Sequence, residues 1–233
     1  FHETAEFCGM CHDVYHPVNG LPLEQTYTEW SEGPYPAQGI VYQDCHMTPG
    51  PGVTKPNPGN AASSGPQRDH IYIMTFAGGN VGLGASGLAE ERLQAAAEIT
   101  LDTPEFVEPG TTASYTVSVA NVGAGHYLPT GITELRKMWL EVVGTDEDGT
   151  EVFSERHDYG LEFADEAGEA PVQLWDAASI AKDDRIPPKQ QVSYDYTIEM
   201  PESGVVDVVL EPVHYYASVI IGPGSLDDAD GDG

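Results

Sequence analysis

From residue 96 to about residue 222 the chain runs in short stretches in which apolar and polar side chains alternate. Tyr115-Thr116-Val117-Ser118-Val119 and Val192-Ser193-Tyr194-Asp195-Tyr196-Thr197-Ile198 are the clearest cases. A period of two puts the apolar set on one face of a half-buried antiparallel strand. The pattern predicts strands over residues 97–102, 113–121, 137–143, 151–155, 190–200, 204–210 and 213–221. Turn chemistry separates them: Asp146-Glu147-Asp148-Gly149 reads as a hairpin turn, and Pro109-Gly110 and Pro187-Pro188 open strands. Strands of this number and spacing predict an immunoglobulin-like sandwich. Residues 1–95 have little periodicity, so they lack the pattern of an ordinary core. One helix is predicted over 88–97, with short helical turns near 11–15 and 24–30. The expected fold class is mainly β, in three parts: an irregular N-terminal segment with short helices (1–95), an immunoglobulin-like antiparallel β-sandwich (96–222) and an acidic tail (223–233).

Composition narrows the partners. Hydrophobic residues make up 40% of the 233, too many for a disordered acidic polymer and enough for packed sheets. Asp and Glu number 38 against 9 Lys and Arg, a formal charge of −29. That charge repels phosphate backbones and anionic lipid, which excludes nucleic acid and membrane surfaces as partners. No run approaches the ~18 apolar residues of a membrane span, and the expectation is a soluble chain. The acidity points to a high-salt habitat, where carboxylates hold water and salt screens their repulsion; an acidic secreted protein at ordinary salt is the alternative.

The strongest chemical signal is Cys8-Gly9-Met10-Cys11-His12. It has the C-x-x-C-H spacing of c-type haem attachment, in which two thiols add to the haem vinyl groups and the adjacent His binds iron. A zinc site would need a second Cys/His pair, and a thioredoxin-like disulfide would need a βαβ context, which the sequence lacks. Tyr42-Gln43-Asp44-Cys45-His46 repeats the frame with Tyr in place of the first Cys. The expectation is two haems, the second held by one thioether through Cys45 with His46 on the iron; a site that has lost its haem is the alternative. A low-spin haem needs a sixth ligand, and His126, His70, His16, His2 and Met74 are the candidates in that order. His16 follows His12 by four residues and is read as sharing its helical face, which bars it from the opposite side of the same iron. His126 lies in Gly123-Ala124-Gly125-His126-Tyr127-Leu128-Pro129-Thr130-Gly131, a loop between two strands that would project an imidazole toward the haem half. His157 and His214 read as structural.

These residues carry a resemblance. Cys8 to His12, Asn19-Gly20-Leu21-Pro22, Thr26-Tyr27-Thr28-Glu29-Trp30 and Gln43-Asp44-Cys45-His46-Met47 resemble the paired-haem segment of multihaem c-type cytochromes. Phe76-Ala77-Gly78-Gly79-Asn80, Gly125-His126-x-x-Pro129-Thr130-Gly131 and Arg136-Lys137-Met138-Trp139-Leu140 are similar to the haem-to-sandwich junction and sandwich of the same proteins. The resemblance implies electron transfer outside the cytoplasm, with redox proteins as partners. Some members assemble into extracellular filaments in which a subunit lends a His to its neighbour's haem, a part His2 and His16 would play here, so a homo-oligomer is expected. Tyr42 departs from the family's intact second motif, and Met74 stands where the family tends to carry His.

Other patterns in the chain are weaker. Gly82-x-Gly84-x-x-Gly87 has the outline of a dinucleotide-binding turn, but a Rossmann domain needs further βαβ units and the chain after residue 102 reads as hairpin-linked strands. Asp228-Ala229-Asp230-Gly231-Asp232-Gly233 starts like an EF-hand loop and stops before its bidentate Glu. No Ser/His/Asp order, catalytic carboxylate pair or phosphate loop stands out. The chain therefore reads as an electron carrier rather than an enzyme. The competing reading is a multihaem reductase of small nitrogen or sulfur oxyanions with one open iron position.

Overall fold

A computed structural model describes residues 2–76, 86–104, 106–132, 135–146 and 148–203, together with the backbone of 206–217. The N-terminal part is built of short pieces: α1 (Ala5–Gly9), β1 (Val14–Tyr15), β2 (Pro22–Glu24), α2 (Thr26–Ser31), α3 (Gln43–His46), β3 (Gly59–Asn60) and β4 (Gln67–Arg68). After α4 (Ser86–Ala96) follow β5 (Ala97–Asp102), β6 (Thr112–Asn121), β7 (Arg136–Asp146), β8 (Glu151–Tyr159), β9 (Leu161–Ala164), β10 (Ser179–Asp183), β11 (Gln191–Glu199) and β12 (Val206–Ala217).

The strands form two antiparallel three-stranded sheets, ordered β5-β6-β11 and β8-β7-β12. Counted from β5 this places the first, second and fifth sandwich strands in one layer and the third, fourth and sixth in the other, the partition that immunoglobulin-type sandwiches use. Alternation sets the faces. On β6 Tyr115, Val117, Val119 and Asn121 point inward, and on β7 Met138, Leu140 and Val142 do so. With Ile186 and Ile198 the apolar ones make one core. The Asp146–Gly149 turn forms as read: the Gly149 N–H donates to the Asp146 carbonyl and Gly149 takes φ +79°.

Two expectations are corrected and one element is added. The two strands expected at 204–210 and 213–221 are one, β12, whose pairing with β7 shifts register between Glu211 and His214, around Pro212; residues beyond 217 lie outside the described set. A β9–β10 ribbon was not foreseen. Its Phe163 and Leu161, with Ala177 from the connection between the two strands, cluster with Leu23 of the N-terminal part in a small separate group. The helical turn expected at 11–15 is instead extended at Val14–Tyr15, because the chain there pairs with β2 and loops through residues 16–21. His12 and His16 therefore share no helical face.

The N-terminal part stabilises itself with polar groups where apolar ones are scarce. Among the described residues before α4 the buried apolar ones are Ala5, Leu23, Tyr35 and Tyr42, against buried Glu24, Thr26, Glu29, Gln43, Asp44 and Thr48. Each of these polar side chains needs a partner to offset its lost hydration. The Gln43 amide donates to the His2 and Thr4 carbonyls. Asp44 accepts from the Val41 N–H and the Tyr72 hydroxyl.

Candidate functional site

The two Cys-His segments fold into the same turn. At the first, the N–H groups of Cys11 and His12 both donate to the Cys8 carbonyl, at 3.1 and 3.0 Å. At the second, the N–H groups of Cys45 and His46 donate to the Tyr42 carbonyl at 3.0 and 2.9 Å. Tyr42 thus occupies the backbone position of Cys8. Its ring packs among Trp30, Tyr27 and His46 at 5.5–6.4 Å between centroids, and its buried hydroxyl has no partner. None of the three cysteines is paired in a disulfide. Burial raises the Cys45 thiol to about 11, with Asp44 adding to the effect and Arg92 opposing it, and burial also raises Cys8.

At the first segment Cys11 and His12 are exposed. His12 Nδ1 lies 3.1 Å from Glu24 Oε1, and that hydrogen bond raises the His12 pKa against the effect of burial. A carboxylate on Nδ1 fixes the tautomer that leaves Nε2 to bind a metal and makes the ring a stronger donor. The His12 carbonyl accepts the Tyr27 N–H, and Asp13 accepts from Thr28, so the motif is tied to the start of α2.

At the second segment His46 faces His126. Their ring centroids are 6.3 Å apart with planes 17° apart. Two imidazoles bound to opposite faces of one iron, each nitrogen about 2 Å from it, place their ring centres roughly 6 Å apart. His126 Nδ1 donates to the Tyr127 carbonyl at 2.9 Å, which again leaves Nε2 as the metal-binding end. Burial holds the His126 pKa below the ordinary value, so the ring stays neutral. Cys45, His46, Arg92, Gly123, Gly125, His126 and apolar neighbours including Leu93, Ala96 and Leu128 line a cleft of about 130 Å³. It is smaller than a porphyrin, so a macrocycle seated there is partly enclosed. A thiol beside the cleft, paired imidazoles of this separation and an apolar wall of small residues fit a haem.

The His126 loop is held from both sides. Buried Asn121 donates to the His126 and Ile186 carbonyls and accepts the Ala124 N–H. From α2, Glu29 accepts the Tyr127 N–H at 3.0 Å and the Thr130 hydroxyl at 2.7 Å on Oε2, while Arg185 donates to its Oε1. Arg185 also holds Asp183 and lies over the Tyr127 ring. Sequence reading assigned no role to Glu24, Glu29, Asn121 or Arg185; Glu24 and Glu29, acids within otherwise apolar or aromatic stretches, were the available signal.

The remaining candidates make other contacts. His16 has both ring nitrogens engaged: Nδ1 accepts from the Val18 and Asn19 N–H groups and Nε2 donates to the Trp175 carbonyl. His70 Nδ1 accepts the Asn57 N–H at 2.8 Å, which puts the ring proton on a buried Nε2 without a partner. His2 packs on Phe7. Met74 is 73% exposed. His157 packs between Tyr159 and Tyr194 in the sandwich, as a structural His would. The Gly82–Gly84 turn, the Ala77–Asn80 stretch and the acidic tail lie outside the described residues, as does the His214 side chain. Among the described residues no group of three or more His, Cys, Asp or Glu is placed to hold a bare metal ion, and no helix is long and apolar enough to cross a membrane.

No protein-family model matches the chain, and no curated protein matches its sequence. Among solved structures, a penta-heme cytochrome c552 from Thermochromatium tepidum superimposes with a TM-score of 0.58 at 21% identity. The match covers 90% of this chain and 49% of that one, so this chain spans about half the length of its structural neighbour. Over the shared part the fold of this chain is similar to that of this penta-heme cytochrome. A second solved structure, a structural genomics target, gives a TM-score of 0.20 at 17% identity and carries no argument.

Proposed function

We propose that the chain is an electron carrier with two c-type haems, working outside the cytoplasm. The first is attached through Cys8 and Cys11 with His12 on its iron. The second is attached through Cys45 alone, with His46 and His126 on opposite sides. The observation that carries the reading is the His46–His126 pair at 6.3 Å, formed by two segments distant in sequence. The neighbour's description as a penta-heme cytochrome supports the class.

Haem supplies a one-electron iron couple when bound. The chain's own residues set its environment. Glu24 and the Tyr127 carbonyl each take the Nδ1 hydrogen of one ligand, orient the ring and strengthen it as a donor, which favours the ferric state. Leu93, Ala96 and Leu128 in the wall of the cleft would give one side of the second site an apolar cover. The first site is open, with the His12 side chain 55% exposed, and Met10, Tyr15 and Val18 are exposed around it. That surface suits close approach by a redox protein or a further copy of this chain.

The test is an intact mass with a visible spectrum. Two haem additions are expected, with low-spin bands at the second site. His126→Ala should retain both additions and develop a high-spin band; an unchanged spectrum would remove His126 from the ligand set. A reductase is the second reading, favoured by the engagement of both His16 nitrogens, which leaves His12 without that partner. A high-spin component in the unaltered chain that shifts on adding nitrite or sulfite would select it.

A further inference from the structure

The two Cys-His segments are joined by one run of close polar contacts, part-buried along most of its length. His12 Nδ1 is 3.1 Å from Glu24 Oε1, which is 3.2 Å from the Thr26 hydroxyl. That hydroxyl is 2.8 Å from the Thr130 hydroxyl, which lies 2.7 Å from Glu29 Oε2. The same oxygen accepts the Tyr127 N–H, and the Tyr127 carbonyl accepts from His126 Nδ1.

Counting hydrogens gives the run a direction. Between Glu24 and Glu29 there are three oxygen–oxygen contacts and two hydroxyl hydrogens. Ionised Glu29 has no hydrogen to give, so Thr130 donates to it; Thr26 then fills the 2.8 Å contact by donating to Thr130. The longest link, Thr26 to Glu24, is left without a hydrogen, and Glu24 Oε1 is free to take the one on His12. The state of residue 29 therefore reaches His12 across the interface between the N-terminal part and the sandwich.

We propose that Glu29 is a positioning residue for both imidazoles: it fixes the peptide that orients His126 and, by polarising Thr130 and Thr26, leaves the Glu24 carboxylate wholly to His12. The inference rests on the reading of His12 and His126 as iron ligands. Glu29→Gln inverts the run. Arg185 demands the amide oxygen, so the amide N–H₂ faces Thr130 and Tyr127. Thr130 then donates to Thr26 and Thr26 to Glu24, and the Tyr127 N–H loses its acceptor. A carboxylate shared with a hydroxyl pulls less on the His12 hydrogen, the ring becomes a weaker donor, and the first-site potential rises.

The experiment is a spectroscopic redox titration of the full haem-bearing chain and three variants. In Glu29→Gln the first-site potential should move upward and a high-spin band should appear at the second site. Thr130→Val cuts the run but leaves Tyr127 and Arg185 on Glu29, so the first-site potential should rise while the second-site spectrum stays unchanged. Asn19→Ala removes a separate bond between the two parts, to the Ala177 carbonyl, and should move neither. A first-site potential unchanged in Thr130→Val, or shifted equally by Asn19→Ala, would overturn the inference, and the first of these holds even where Glu29→Gln does not fold. His126→Ala separates the two questions. If that variant stays low-spin, the ligand assignment fails; if it turns high-spin while Glu29→Gln does not, only the role of Glu29 at His126 fails.

Discussion

Gly123 lies so close to the Ala95 carbonyl that a Cβ on residue 123 would come within 2.0 Å of that oxygen. The approach is fixed by the Val122 and Gly123 N–H groups, both of which donate to Ala96. It is where β6 leaves the sandwich and the His126 loop begins. A side chain there has to push backbone away from backbone. Gly123→Ala should destabilise the chain by about 1–3 kcal/mol, the usual range for overpacking a filled site. Urea unfolding measures it, and a second-site high-spin band should accompany the loss.

Cys45 is the one thiol at the second turn. Cys45→Ser should lower the intact mass by one haem after acid treatment while the Cys8/Cys11 attachment survives. The measurement is mass spectrometry, and retention of both additions would count against thioether formation at Cys45.

His157 sits between Tyr159 and Tyr194 in the sandwich, and burial holds its pKa below the ordinary value while Asp184 pulls it back. A histidine that is harder to protonate folded than unfolded contributes stability above the unfolded pKa of about 6.5 and loses it as the pH falls through that value. The urea midpoint should therefore fall between pH 7.5 and pH 5.5, and His157→Asn should flatten that slope. An identical slope in the variant would place the dependence elsewhere.

The formal charge of −29 makes the surface repel itself. Added salt screens exposed charges over about 10 Å at 0.1 M and about 3 Å at 1 M. The thermal midpoint should rise steadily from 0.1 M to molar KCl. A flat or falling response would show that the acidity carries no salt requirement.

The sandwich was legible because period-two alternation in β6 and β11 is imposed by a core on one face only, and the pairing of Tyr115 with Tyr196 follows from it. The β9–β10 ribbon was hidden because its buried residues, Leu161, Phe163 and Ala164, are too few to show a period. The C-x-x-C-H spacing marks the proposed first site directly. Spacing had nothing to say about which histidine meets His46, since that contact is made by folding a loop against α3. Gly and Pro around His126 did indicate a held geometry, and Asn121 and Glu29 are what holds it. Extended backbone at Val14–Tyr15 defeated the helical reading of His12 and His16 because pairing with β2 outweighs the local turn.

The matching turns at Cys8 and Tyr42 bear on how such a site drifts over generations. Tyr and Cys codons differ by a single base, and the carbonyl at position 42 already receives the same two N–H groups as the carbonyl at position 8. One nucleotide therefore separates this chain from a fully paired second motif, and the peptide would need no refolding to accept it. The aromatic packing of Tyr42 against Trp30 and Tyr27 is what that exchange would give up.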